Sequence, residues 1–379
     1  MGAPAQQRPH PPRTGYLSLG ETGAQQSGGN EDWLSAATVV AGLPLLVRLA
    51  RQLARLDVTR LTLVTTASAE PWQTLLARHD VKLAVDTVKP EGVPAGAVVL
   101  EVMALYDADN LATVFEDAPV EPTPRIRIVD RTAVAEAERW LWASVRKSMS
   151  HDGPVAYYLA RPVSNRISRW LLPTGVSPNA VTLVGLGVGI GTGVVAALGG
   201  YVPVLAAALL FYLGMILDCI DGDLARIKLA TSRTGQWLDS LTDDLSLVFF
   251  TLGLGVGLWR TTGQALYLWA GVAGAGLVGV GQTVIYAVLV RGGGPIDTAK
   301  YPWFFSGDAG LAQEGKRSLV GYVSFLFRRD CQTLAYVLLA VAGQGAVILG
   351  LLAGGGAVYF VLLVVDRLVK ALRPREARS

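Results

Sequence analysis

Between residues 179 and 370 the chain is built from long apolar blocks separated by short basic stretches, whereas residues 1–150 mix charged and apolar positions in the ordinary way. This division constrains the fold more than any other feature. Several of the blocks approach the ~20 residues needed to cross the hydrocarbon core of a bilayer. The second half is therefore expected to be a bundle of membrane helices and the first half a water-soluble domain. A length of 379 residues, 51% of them hydrophobic, suits two such parts. The composition shift puts the boundary between about 145 and 175.

The blocks predict six helices, at 179–199, 202–221, 236–259, 264–291, 331–343 and 345–370; the fifth is short unless the stretch from 317 continues it. Loop charge predicts their orientation. The 222–235 connection carries Arg226, Lys228 and Arg233, and the 291–330 connection carries Arg291, Lys300, Lys316, Arg317, Arg328 and Arg329. Lys370 and the basic tail 373–379 add more, while the opposite loops hold little beyond Arg260. By the positive-inside bias, both termini of this multi-pass inner- or plasma-membrane protein are expected in the cytoplasm.

Residues 1–30 are rich in Pro, Gln, Gly and Ser without an apolar h-region, and read as a disordered tail rather than a signal peptide. Residues 31–132 suggest a small cytoplasmic α/β domain. Leu43–Leu56 has helical periodicity, and Leu61–Val64, Val81–Val85 and Val98–Val102 are short β-like runs. Residues 133–175 form an amphipathic connector carrying Arg139, Arg146, Lys147, Arg161, Arg166 and Arg169, suited to an anionic leaflet surface. The net charge of +3, without interleaved basic and aromatic residues, argues against a nucleic-acid partner. Cys219 and Cys331 make neither a disulfide framework nor a metal spacing.

Four carboxylates stand at fixed intervals beside these apolar blocks: Asp218, Asp221, Asp239 and Asp243. Acids persist next to hydrocarbon mainly where a cation or a reaction needs them. On helices, Asp218 and Asp221 are i,i+3 partners and Asp239 and Asp243 are i,i+4 partners, so two helices each offer two acids on one face. Acids this close stay ionised only with cations among them. Mg²⁺ or Mn²⁺, as two ions, suits such hard oxygen ligands and would clamp a pyrophosphate. Gly222 allows close approach, Arg226 suits a phosphate, and Asp243 is the acid placed to take a proton from an attacking hydroxyl.

The run Asp218-x2-Asp221-Gly222-x2-Ala225-Arg226-x8-Gly235-x3-Asp239-x3-Asp243 resembles the complete signature of the CDP-alcohol phosphotransferases, with no position departing. Ser177-Pro178-Asn179-Ala180-Val181-Thr182 is similar to that family's entry to the first span, and the resemblance covers about 147–370. It implies a six-helix membrane fold, usually homodimeric, that transfers a phosphoalcohol group from a CDP-alcohol such as CDP-diacylglycerol to the hydroxyl of a polar alcohol, releasing CMP. It implies that Asp218, Asp221 and Asp239 bind metal and that Asp243 is both ligand and base. Gly222, Ala225 and Arg226 would line the CDP site, with Asn179 and Thr182 at its phosphates.

Shorter segments resemble inositol-phosphate-using members, including bifunctional inositol-phosphate cytidylyltransferase/di-myo-inositol phosphate phosphate synthases. They are Lys147–Gly153, Arg161–Ser168 and Arg328-Arg329-Asp330. A phosphorylated acceptor needs a cationic pocket, for which Arg161, Arg166, Arg233 and Arg291 are the candidates. The front domain resembles a sugar-nucleotide transferase around Gly42–Leu46 and Leu56–Val64, with Asp107-Ala108-Asp109 in the place of its metal site. Ala36–Ala41 stands where its glycine-rich, cationic phosphate loop is expected, so a degenerate, non-catalytic cytidylyltransferase-like domain is the expectation.

Phospholipid synthesis with inositol phosphate as acceptor is thus the leading expectation, ahead of glycerol phosphate or serine. The alternative within the family is a CDP-inositol-dependent di-myo-inositol phosphate phosphate synthase. Outside it stand a metal transporter and a membrane pseudoenzyme. A transporter spreads acids through the bilayer depth and a pseudoenzyme loses one of them, and neither pattern is present.

Overall fold

The computed structural model describes residues 13–19, 35–66, 68–113, 122–147, 149–291, 301, 303 and 328–372. By their internal contacts they divide into two units: Met1–Arg146 with Arg226–Leu229, and Lys147–Ala225 with Ala230–Ser379.

The first unit is a small α/β fold. Its elements are β1 (Arg13–Ser18), β2 (Val39–Val40), β3 (Leu43–Pro44), α1 (Leu45–Ala54), β4 (Val58–Val64), α2 (Glu70–Arg78), β5 (Ala84–Val88), β6 (Val99–Glu101), β7 (Ala104–Leu105), α3 (Ala108–Ala112), β8 (Ile126–Arg127) and α4 (Arg131–Ser144). The main sheet is parallel, in the order β5-β4-β1-β6. Strand β1 lies inside the segment read as a disordered tail and corrects it. Its register pairs Tyr16 with Thr62 on one side and Val99 on the other, and Gly15 and Leu17 alternate inward. The period-2 run Gly15–Leu19 is short and was hidden by the Pro- and Gln-rich sequence around it.

Helix α1 buries Leu45, Leu46, Leu49 and Leu53, the spacing of an amphipathic face. It also buries Arg48, whose Nη2 donates to the carbonyls of Val40 (2.9 Å) and Ala41 (3.3 Å). Those carbonyls belong to a tight turn with φ of +48° at Ala41 and +69° at Gly42. Burial, reinforced by neighbouring Arg51, lowers the Arg48 guanidinium to about 10. Helix α4, expected in the connector, belongs to this unit: it buries Ala133, Ala137 and Leu141, and its Glu138 accepts the Ala41 N–H at 3.0 Å. The connector therefore begins only after Arg146.

The second unit opens with α5 (Met149–Asp152), a π-helical turn at Ala156–Ala160 and α6 (Arg161–Leu171). Then follow α7 (Pro178–Ala196), α8 (Tyr201–Ile227), α9 (Arg233–Thr262), α10 (Ala265–Arg291), α11 (Arg329–Val341) and α12 (Gly345–Leu372). Five of these, α7 to α10 and α12, are long and apolar enough to cross a membrane. Helix α11, at 13 residues, covers only about 20 Å at 1.5 Å per residue, short of a hydrocarbon core. The stretch from 317 that was expected to lengthen it lies largely outside the described residues. Among the described residues, five helices are thus long and apolar enough to span, by length and composition, against the six expected.

Small residues let these helices pack backbone to backbone. A Cβ on Gly253 of α9 would stand 2.8 Å from the Gly193 Cα of α7, and one on Gly271 of α10 2.8 Å from the Gly255 Cα. Lipid tails are as apolar as leucine, so close approach of this kind, rather than hydrophobic burial, holds membrane helices together. Phe211, Phe250 and Tyr336 fill the centre, with the Phe211 and Phe250 rings stacked at 4.9 Å.

Candidate functional site

The acids sit where α8 ends and α9 begins. Leu229, at φ +50°, turns the chain after α8, and Ser232 caps α9 by accepting the Gly235 N–H at 2.9 Å. Asp218 and Asp221 lie in the last three turns of α8, and Asp239 and Asp243 in the first three turns of α9. The short turn between the helices brings the two pairs to the same end of the bundle.

Asp218, Asp221 and Asp239 converge, with ligand oxygens all within 4.8 Å of one another. Asp221 is buried and accepts the Thr182 hydroxyl at 2.6 Å. Thr182 is placed by the start of α7, where the Ser177 hydroxyl accepts the Ala180 N–H at 3.2 Å and Pro178 opens the helix. Three carboxylates held this close, one oriented from outside the cluster, fit a hard divalent cation and are unfavourable without one. Asn179 stands beside the start of α9: a Cβ on Gly235 would lie 3.1 Å from its Oδ1. Gly222, Ala225 and Arg226 continue along α8 beyond the acids.

Asp243 is placed differently from the other three. It forms an ion pair with Arg329 at the start of α11, and both line one narrow cleft together with Thr182, Asp218, Asp221 and Asp239. The sequence marked Arg329 only through the short Arg328-Arg329-Asp330 resemblance. Its partnership with Asp243, far away along the chain, carries no local signal.

A second ion network lies beside the motif. Arg161, read as a candidate for the acceptor pocket, is instead nearly fully buried between two acids. Its Nε and Nη2 donate to Asp152 at 2.6 and 2.9 Å, and its Nη1 donates to Asp223 at 2.5 Å. Burial alone would lower this guanidinium, but the bonds to Asp152 and the charge of Asp223 outweigh it and raise the pKa. Asp330 accepts the N–H groups of Val155 (2.9 Å) and Ala156 (3.2 Å), and Gly153, at φ +85°, has no Cβ to collide with it. The other arginines considered for the acceptor, Arg166, Arg233 and Arg291, are exposed. Asp107 and Asp109 in the first unit are exposed too.

Residues 175–307 match the CDP-alcohol phosphatidyltransferase family. The chain carries a CDP-alcohol phosphatidyltransferase domain. The matched segment contains all four signature acids as well as Asn179, Thr182 and Arg226. The chain is also similar to bifunctional IPC transferase and DIPP synthases. That of Thermococcus kodakarensis is 36% identical over 135 residues, 36% of this chain and 27% of the relative. That of Aquifex aeolicus is 32% identical over 110 residues, 29% of this chain and 24% of the relative. That of Archaeoglobus fulgidus is 34% identical over 110 residues, 29% of this chain and 21% of the relative. The chain thus spans about a quarter of the length of the curated relatives it matches.

Proposed function

We propose that this protein is an integral-membrane, divalent-metal-dependent phosphotransferase that moves a phosphoalcohol group from a CDP-alcohol to an acceptor hydroxyl and releases CMP. The observation that carries this is the convergence of Asp218, Asp221 and Asp239 in one cleft with Asp243, inside an intact family signature. Asp218, Asp221, Asp239 and Asp243 are the residues to hold two Mg²⁺ or Mn²⁺ ions, which when bound neutralise charge on the pyrophosphate. Arg226 pairs with a phosphate oxygen, Gly222 and Ala225 leave room for the cytidine diphosphate, and Asn179 and Thr182 face its phosphates.

The acceptor oxygen forms a bond to the phosphorus that bears the alcohol, the bond from that phosphorus to CMP breaks, and the acceptor proton passes to Asp243. Arg329 holds Asp243 in one orientation and lowers the cost of its charge. With CDP-diacylglycerol as donor the product is a phospholipid. With CDP-inositol it is a soluble phosphodiester, the second reading favoured by the DIPP synthase relatives. Inositol phosphate is the proposed acceptor in both cases. The basic loops support a cytoplasmic side for the cleft and both termini.

The first unit is proposed to be a non-catalytic nucleotidyltransferase-like domain. In a parallel sheet of order β5-β4-β1-β6, ligands bind beyond the carboxyl end of β1, where the strand order reverses. The segment that follows β1, residues 20–34, contains glycines but neither Lys nor Arg.

The test is CMP release from CDP-diacylglycerol and from CDP-inositol by purified protein with Mg²⁺ or Mn²⁺, across inositol phosphate, inositol, glycerol phosphate and serine, with Asp243→Asn as control. Acceptor-dependent release that the variant abolishes is expected. Absence of release with every donor and acceptor refutes the assignment.

A further inference from the structure

By its internal contacts the first unit takes in Arg226–Leu229, so Arg226, the last α8 position of the signature, belongs to it. The final carbonyls of a helix have no partner within it, and the last turn frays unless donors come from elsewhere. At the end of α8 those carbonyls are Ala225, Arg226, Ile227 and Lys228, and each has a donor. The following turn satisfies two of them: the Leu229 N–H donates to Arg226 at 3.1 Å and the Ala230 N–H to Ala225 at 2.8 Å. Glycine usually fills the left-handed position of such a turn. Leu229 stands there instead, at φ +50°, a conformation that persists for a side chain only where its surroundings hold it.

The other two carbonyls are taken by side chains of α1. Arg48 Nη1 donates to Ile227 at 3.0 Å, and Arg51 Nη1 donates to Lys228 at 2.6 Å. An interval of three residues puts both arginines on one face of α1. The second arm of each fork is braced within the same unit. Arg48 Nη2 donates to the Val40 and Ala41 carbonyls, and Arg51 Nη2 to the His79 carbonyl at 2.7 Å. Arg48 is 2% exposed, a burial that an arginine rarely reaches unless paired. Charge adds to the hydrogen bonds, because a cation is favoured at a helix C-terminus. With its pKa lowered to about 10, the Arg48 guanidinium still carries that charge at neutral pH.

We propose that Arg48 and Arg51 are positioning residues for the transfer: by capping the Ile227 and Lys228 carbonyls they keep the last turn of α8 wound and hold Arg226 ready for the donor phosphate. Arg226 lies in the turn that would fray first. A loosened Arg226 must be ordered each time a donor binds, and that cost falls on donor affinity. The proposal rests on the transferase function above and gives the first unit a task that needs no nucleotide of its own.

The experiment uses the full chain and compares wild type with Arg51→Ala, Arg51→Lys, Arg48→Lys, Arg226→Ala and the Arg51→Ala/Arg226→Ala double variant. Arg127→Ala, which breaks only an exposed pair with Glu101 in the same unit, is the control. It measures amide protection at Leu229 and Ala230, KM for CDP-diacylglycerol and CDP-inositol with myo-inositol phosphate as acceptor, and CDP binding by equilibrium dialysis with Mg²⁺. Arg51→Ala is expected to lower protection at both amides and to raise donor KM about 2–30-fold, the worth of a cation at a helix C-terminus, while kcat and acceptor KM hold. Arg48→Lys is expected to act in the same direction, since lysine lacks the fork, and Arg51→Lys to fall between Arg51→Ala and wild type. In the Arg226→Ala background, Arg51→Ala is expected to weaken CDP binding no further. Arg127→Ala is expected to match wild type throughout.

Wild-type protection or wild-type donor KM in Arg51→Ala, or an equal loss of CDP binding with and without Arg226, overturns the positioning role and leaves the transferase standing. If wild type releases no CMP from either donor, the transferase fails instead, and dialysis decides the positioning role. CDP binding that Arg51→Ala weakens only while Arg226 is present keeps it, and any other result removes it.

Discussion

At the scale of single residues, the aspartates differ in what holds them, and the differences predict different losses. Thr182 donates to Asp221 without itself joining the three-carboxylate cluster. Partners of metal ligands typically contribute 10–100-fold in metal affinity. Thr182→Val is therefore expected to raise the Mg²⁺ concentration for half-maximal CMP release about 10–100-fold and, since Thr182 also faces the donor phosphates in the proposed site, to raise the donor KM, while saturating Mg²⁺ and donor together restore most of the rate. Asp239→Asn removes one of the proposed metal ligands outright, and saturating metal is expected not to restore its activity. A Thr182→Val enzyme with wild-type Mg²⁺ dependence shows the hydrogen bond to be structural only. The aspartates were legible in the sequence because their chemistry demands fixed residue types at fixed helical intervals. Arg329 and the Arg161–Asp223 pair were not, because each joins residues distant in sequence whose meeting only tertiary packing decides.

At the scale of elements, α6 is tied to α8 through a buried charge that has no water to fall back on. Removing one partner of a buried pair typically costs about 3–5 kcal/mol, since the other charge is left uncompensated. Arg161→Ala strands Asp152 and Asp223 together, so a clear fall in the thermal midpoint in detergent is expected, with Arg161→Lys between it and wild type because lysine lacks the bidentate fork. A midpoint unchanged in Arg161→Ala rules out this tie as a source of stability. The α7–α9 crossing makes a parallel case: Gly253→Leu drives a side chain into the Gly193 backbone, and overpacking of this kind costs about 1–3 kcal/mol or more. In the first unit, Asp130 caps α4 by accepting the Ala133 N–H at 2.7 Å, and that bond, followed by one from the Thr132 hydroxyl, lowers its pKa. A carboxyl with a folded pKa below its unfolded value stabilises the fold above the unfolded pKa and loses that contribution as pH falls through the folded one. The protection factors of the amides in the first turn of α4, observed exchange divided into the intrinsic rate at each pH, are expected to fall below about pH 4, and Asp130→Ala to lower them at neutral pH. Strong, long periodicities located most of the helices from sequence alone. The short strand β1 and the true end of the first unit escaped because a strand of 6 residues among prolines carries little pattern, and because the amphipathicity of α4 does not say which surface it packs on.

At the scale of the whole molecule, the two units carry opposite signals about chemistry. The membrane unit keeps every signature acid, whereas the first unit presents a parallel sheet whose central strand β1 leads into a segment with Gly20, Gly23, Gly28 and Gly29 but no cation. A nucleoside triphosphate needs backbone N–H groups and a positive side chain around its phosphates. Glycines supply the first of these and cannot supply the second. The intact protein is thus expected to use a CDP-alcohol made elsewhere rather than to make its own from CTP. Incubation with CTP, Mg²⁺ and inositol phosphate is expected to give no pyrophosphate and no CDP-inositol, while CMP release from added CDP-alcohol proceeds and is abolished by EDTA and restored by Mg²⁺ or Mn²⁺. Pyrophosphate formed at a rate comparable to CMP release makes the first unit an active nucleotidyltransferase, and the missing cation must then come from outside residues 20–34. EDTA-insensitive CMP release locates the failure in the other unit, because Asp218, Asp221 and Asp239 then have no metal to hold.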